Sequence, residues 1–203
     1  MLNKFKSSVL LDQFGSHFEE IGKAILTTEY HSMIGVPCNC SVKGRIWTTR
    51  CNDCFQLPLT CEQCFLQQHE NQPFHWVRKW NGNFFVRCNI SSLGYIVVLG
   101  HHGKPCPNNL SLTSLIFIVV HTNGIHKTRV KFCNCIRRGD RMQQLLSAQL
   151  FPAITEQPTT PFTFGLLWEF HIHSLQSKST VYSYIGGLRC LTDNMFTTDV
   201  SVH

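Results

Sequence analysis

No apolar run in this sequence of 203 residues approaches the ~20 needed to cross a bilayer. The longest, "YIVVL" from Tyr95 and "LIFIVV" from Leu115, have the length of strands, so a membrane partner is not expected. A secretory leader is missing as well: "MLNKFKSSVLLDQFG" starts basic, but its apolar stretch stops at Asp12 with no small-residue cleavage site. A nuclear or cytoplasmic protein is expected, not a secreted one. Acidic residues are few and scattered. Asp140, Glu156, Glu169, Asp193 and Asp199 show no spacing that suggests a two-metal catalytic site. Neither His-Glu-x-x-His nor the His-x-Glu and Cys-x-x-Cys set of zinc deaminases occurs. The expectation is that this chain is not an enzyme.

Cysteine is what the sequence has. Eleven cysteines occur, mostly in close pairs interleaved with histidines, a pattern of metal binding more than of disulfides. Structural zinc takes four nitrogen or sulfur ligands, and a tight turn carrying two of them supplies half a site. Five such half-sites are present: Cys38-x-Cys40, Cys51-x2-Cys54, Cys61-x2-Cys64, His69-x5-His75 and Cys133-x-Cys135. The first four supply eight ligands, the number that two zinc ions need. Consecutive or alternate pairs could share an ion. The short spacing from Cys54 to Cys61 favours alternation, with Cys38, Cys40, Cys61 and Cys64 on one ion and Cys51, Cys54, His69 and His75 on the other. For a third zinc, Cys133 and Cys135 need two partners. "GHHGKPC" offers His101 or His102 and Cys106, with His126 as a substitute histidine. Cys88 and Cys190 have no such partner and read as core thiols.

The expected fold class is α+β: a small zinc-stabilised cross-braced module, then an antiparallel β-sheet, then C-terminal helices. Val9, Phe14, Phe18, Ile21 and Ile25 recur at helical spacing between Phe5 and Tyr30, which marks residues 1–36 as an N-terminal helix. Residues 37–80 form the two-zinc module. Residues 81–140 alternate β-branched or aromatic runs with Gly and Asn turns and hold the third site. Residues 141–194 read as helical, interrupted by the Pro/Thr-rich "FPAITEQPTTPFTF", with Ser179 or Thr180 capping the last helix. Residues 195–203 read as a tail.

The formal charge is +6 with every cysteine neutral. Zinc bound by thiolates as assigned lowers it to about +3, so distribution matters more than total. "KTRVKFCNCIRRGDR" gathers Lys127, Arg129, Lys131, Arg137, Arg138 and Arg141 against one Asp140. On a strand Lys127, Arg129 and Lys131 share a face, and such a face suits a phosphate backbone. DNA is the expected partner, and the alternative is a B-box-like module for protein interaction or self-association.

The ordered series "C-x-C", "RCNDC", "TCEQC", "TNGIH", "KFCNC" and "SKSTVYSYIGGLRCLTDN", from Cys38 to Asn194, resembles a fungal cysteine-cluster domain associated with KDZ (Kyakuja-Dileera-Zisupton) transposases. The resemblance implies a zinc-binding accessory region of a transposon-encoded protein, acting on DNA in the nucleus. It favours His101 over His102, because the first histidine fits "LGH-x-G-x-P-C". It also implies a catalytic domain following the "LTDN" motif in full-length members, and the reading expects this chain to stop before it.

Overall fold

The computed structural model describes residues 12–29, 32–56, 58–107, 113–135 and 140–200. Its α+β class is the expected one: two sheets with helices gathered towards the C-terminus. The first sheet is antiparallel and runs β1 (Thr49–Cys51), β2 (Trp76–Trp80), β3 (Phe85–Asn89). It packs on α2 (Glu62–Gln68) through buried Phe65, Val77 and Ile90.

The second sheet has the order β4 (Val97–Val98), β6 (Gly124–Lys131), β5 (Leu115–His121), β8 (Pro161–Thr163), β7 (Leu150–Pro152). The β5–β6 pair is an antiparallel hairpin closed by a two-residue turn at Thr122 and Asn123. Alternation along β5 then serves two cores. Phe117 and Val119 join Leu99, Val130, Leu150 and Leu145 of α3 (Arg141–Ser147) on one face. Val120, on the other, joins Ile125, Leu166 of α4 (Phe164–Ser177) and Leu188 of α5 (Val181–Thr192). Side-chain caps start these helices as their sequences suggest: Asp140 accepts from Gln143 N at 2.8 Å, and Thr180, not Ser179, accepts from Ser183 N at 3.1 Å.

Several boundaries differ from expectation. The first sheet crosses the divide at residue 80, because β3 pairs with β2 and not with the strands that follow it. The span 141–194 is not wholly helical: the Pro/Thr-rich segment folds into the β7–β8 hairpin, with Pro152 paired to Pro161. Proline is tolerated there because β7 is an edge strand and Pro161 opens β8. The second sheet also adds two parallel pairings, β4 with β6 and β5 with β8, to its antiparallel hairpins. The tail forms a 3-10 turn at Thr197–Asp199, and Val200 packs on the α4–α5 core. Cys190 is exposed, not a core thiol, while Cys88 is half-buried. Helix α1 (Phe18–Glu29) follows helical residues 12–16, and Phe5 and Val9 lie outside the described residues. None of its residues is buried.

A polar junction joins the two sheets. Trp76 Nε1 donates to Asn123 O at 2.9 Å, and Asn123 Nδ2 donates to Phe74 O at 3.0 Å and to Asp53 Oδ1 at 3.1 Å. His126 Nε2 lies 2.8 Å from Asn123 Oδ1, and its ring lies 4.1 Å from that of Trp76. This placement makes His126 part of the junction rather than a member of a donor group.

Candidate metal centres

Two of the turns that carry a cysteine pair aim a sulfur with their own backbone. Asp53 N and Cys54 N donate to Cys51 Sγ at 3.4 and 3.3 Å, and Cys135 N donates to Cys133 Sγ at 3.4 Å. Such N–H bonds stabilise a thiolate. Among the described residues three groups of four donors result, and within each group the donor atoms lie within 4.8 Å of one another. They are Cys38, Cys40, Cys61, Cys64; Cys51, Cys54, His69, His75; and His101, Cys106, Cys133, Cys135. The first two groups interleave along the chain, which is the alternating arrangement.

The spacings fit zinc. A tetrahedral ion with zinc–sulfur bonds of ~2.3 Å and zinc–nitrogen bonds of ~2.0 Å sets its sulfurs about 3.8 Å apart and sulfur from nitrogen about 3.5 Å. Cys38 and Cys64 sulfurs are 3.8 Å apart, those of Cys40 and Cys61 4.0 Å. Cys54 Sγ stands 3.4 Å from His69 Nε2 and 3.3 Å from His75 Nδ1. In the third group Cys106 Sγ is 3.6 Å from Cys133 Sγ, and His101 Nε2 is 3.2 Å from Cys133 Sγ. All these cysteines are free, and their separations are far beyond the ~2.05 Å of a disulfide.

Local structure explains how the donors are held. Cys61 precedes α2, and its carbonyl accepts from Phe65 N at 2.9 Å. His69 follows α2, stacks on Phe65 at 4.0 Å, and places Nδ1 2.9 Å from Phe65 O, so that Nδ1 donates and Nε2 stays open for a metal. In the third group Gly100 has φ +81, and a Cβ there would meet Cys133 Cβ at 2.8 Å. Only glycine lets the His101 loop come this close. Gln144 of α3 clamps the other side, accepting from Cys133 N at 2.8 Å and donating to Cys133 O at 3.0 Å.

The titration behaviour suits a cation. Burial acts to raise the Cys38 thiol, yet bonds from the backbone N–H groups of Cys40 and Cys61 outweigh it and bring it down to about 6. Burial pushes Cys51 up to about 12, and burial with the neighbouring thiols of Cys61, Cys38 and Cys40 does the same for Cys64. Bonds to Cys106 and Cys133, followed by burial, raise Cys135 to about 11. Crowded thiols thus resist repeated ionisation, a resistance that a divalent ion among them removes. Burial also lowers the pKa of His69, favouring the neutral imidazole that metals bind.

A family model described as a CxC2-like cysteine cluster associated with KDZ transposases matches residues 90–196, more than half of the chain. The chain belongs to the CxC2 family. No curated protein and no solved structure matches it. The CxC2 match contains the whole third donor group, and the first two groups precede it. CxC2 is an accessory cysteine cluster and not a known catalytic domain. Among the described residues of this CxC2 chain no helix is long and apolar enough to cross a membrane.

The basic residues divide. Lys127 and Arg129 are exposed on β6, with buried Thr128 and Val130 alternating between and after them, and Lys131 is half-buried. Lys127 and Arg129 line a cleft of about 510 Å³ with Arg87, Asn89, Ser91 and Ser92, and no acidic residue among those described lines it. Lys131 and Arg141 line a different cleft, about 260 Å³, which includes Asp140. Arg137 and Arg138 lie outside the described residues. Sequence reasoning missed Arg50, Arg78 and Arg87, which meet on the first sheet. The period-2 run Trp76, Arg78, Trp80 was the available signal.

Proposed function

We propose that this chain is a non-catalytic, zinc-binding accessory module whose ions are structural and whose partner is DNA in the nucleus. The observation that carries the reading is the completeness of the three donor groups. Each offers four side-chain donors from the chain itself, so a zinc ion held by them would have no coordination position left for a substrate. Two carboxylates beside the first two groups are engaged elsewhere: Glu62 pairs with Lys79 at 2.6 Å, and Asp53 accepts from Asn123 and from Trp76 N. For the partner, the support is the exposed cationic face of β6 and its cleft, which no acidic residue among those described lines.

The test is fluorescence anisotropy with a duplex of arbitrary sequence over a range of salt. The zinc-loaded protein should bind at low salt, and replacing Lys127, Arg129 and Lys131 together by glutamine should flatten the log–log salt slope by about 0.9 for each phosphate no longer neutralised. An unchanged slope would exclude this face. A second reading, self-association, is favoured by Phe18, Ile25 and Leu26 of α1, which are 77%, 60% and 70% exposed. Sedimentation showing a dimer that survives high salt and binds no DNA would select it.

A further inference from the structure

The three strands of the first sheet each carry one arginine at the same level. Register sets Arg50 opposite Arg78 and Arg78 opposite Arg87, so all three share a face with Trp76, Trp80 and Phe85. Like charges directly opposite on neighbouring strands repel. Burial first, and Arg78 second, pull the pKa values of Arg50 and Arg87 below that of an ordinary guanidinium. The side chains are nonetheless fixed in place. Arg50 lies over the Phe85 ring at 4.3 Å, Arg87 lies over the Trp76 ring at 4.6 Å, and Arg78 Nε donates to Asn52 Oδ1 at 2.8 Å. Arg50 also donates to Thr28 O, and Arg87 to Thr192 O.

Against this row the described residues set one carboxylate at ion-pair distance. Glu29, the last residue of α1, lies 2.9 Å from Arg78 Nη1 and 3.8 Å from Arg50 Nη2. Both Glu29 oxygens accept from the single nitrogen Arg78 Nη1, so the row already holds an anion and leaves the second terminal nitrogen of Arg78 out of that pair. The Glu29 side chain is 54% exposed, and an ion pair this open is weak and exchangeable. Among the described residues Arg87 has no carboxylate at that distance; Asp53 and Asp193 act on it only from further away.

We propose that Arg50, Arg78 and Arg87 form a phosphate-binding row for a nucleic-acid backbone, and that Glu29 is an internal carboxylate which the backbone displaces. Strands ~4.8 Å apart make the row about 10 Å long, close to three axial rises of ~3.4 Å, the reach of four consecutive phosphates on one strand. Arg87 also lines the cleft that contains Lys127 and Arg129, so the row extends the β6 surface across the first sheet. The proposal rests on the nucleic-acid reading above.

The same anisotropy assay tests it with E29Q and R78Q, each checked for unchanged zinc content. E29Q, at an exposed position, should bind duplex about threefold more tightly. R78Q should bind more weakly, with a salt slope reduced by about 0.9. Wild-type affinity in both variants, beside weakened binding by the Lys127/Arg129/Lys131 variant, would remove the row and leave the DNA reading standing. No binding by wild type or E29Q would remove both. Inorganic phosphate that displaces duplex from wild type but not from R78Q, at matched ionic strength, would assign the row to free phosphate and overturn the backbone reading.

Discussion

Replacing Cys61 by serine probes the first donor group at a residue with two duties. Its thiol is buried 4.0 Å from that of Cys40, and its carbonyl accepts the first bond of α2 from Phe65 N. Serine preserves size and the backbone bond and removes the thiolate. The buried cluster under α2 holds Phe65, Val77 and Ile90, which at ~1.5–3 kcal/mol per large side chain contribute about 5–9 kcal/mol. A structural zinc contributes about 10–16 kcal/mol in small finger peptides, so metal outweighs this apolar cluster. Native mass spectrometry should show C61S with at least one zinc fewer than wild type, and amide exchange in β1 and β2 should rise towards that of an unfolded chain. C88S is the control: a half-buried thiol outside every donor group, expected to change stability by about 1 kcal/mol or less. Equal zinc content and equal Tm in the two variants would refute the ligand assignment.

Two further perturbations address other parts of the chain. G100A puts a methyl group 2.8 Å from Cys133 Cβ at φ +81, so zinc stoichiometry should fall from three to two while β1–β3 keep their exchange protection. Burial, with His121, Arg87 and His75 adding to it, holds His126 at about 3, well below an ordinary imidazole. Its neutral form is the folded one, so the unfolded state takes up the proton that the fold refuses. The stabilisation is complete above about pH 6.5 and is lost as pH falls towards about 3. Wild type should therefore lose roughly 1–2 kcal/mol more than H126F between pH 7.5 and 5.5, measured by denaturant melts.

The donor groups were legible because a metal half-site is written within three to seven residues, and because the short path from Cys54 to Cys61 disfavours sequential pairing. Choosing His101 over His126 took more than spacing: the fold sets His101 Nε2 3.2 Å from Cys133 Sγ and buries His126 against Trp76. Helices α4 and α5 were legible through their periodicity and the Thr180 cap. The β7–β8 hairpin was not, because its strands are three residues each and contain the prolines that usually mark a loop. The arginine row escaped for a different reason. Arg50, Arg78 and Arg87 are far apart in sequence, and their common face exists only once the register of three strands is set.

Interleaving the first two donor groups has a consequence for how the protein acquires metal. The pair Cys51 and Cys54 sits inside the loop that joins Cys40 to Cys61, and the pair Cys61 and Cys64 sits inside the loop that joins Cys54 to His69. An ion in either group therefore shortens the loop that the other must close, so much of the chain entropy is lost once for both. Loading by halves would then be disfavoured, and the two groups would respond to metal supply as a unit, passing from empty to doubly filled. A growing chain can close neither loop until Cys64 has emerged, and the second only after His75. The order of residues along the chain thus sets the order in which the module matures.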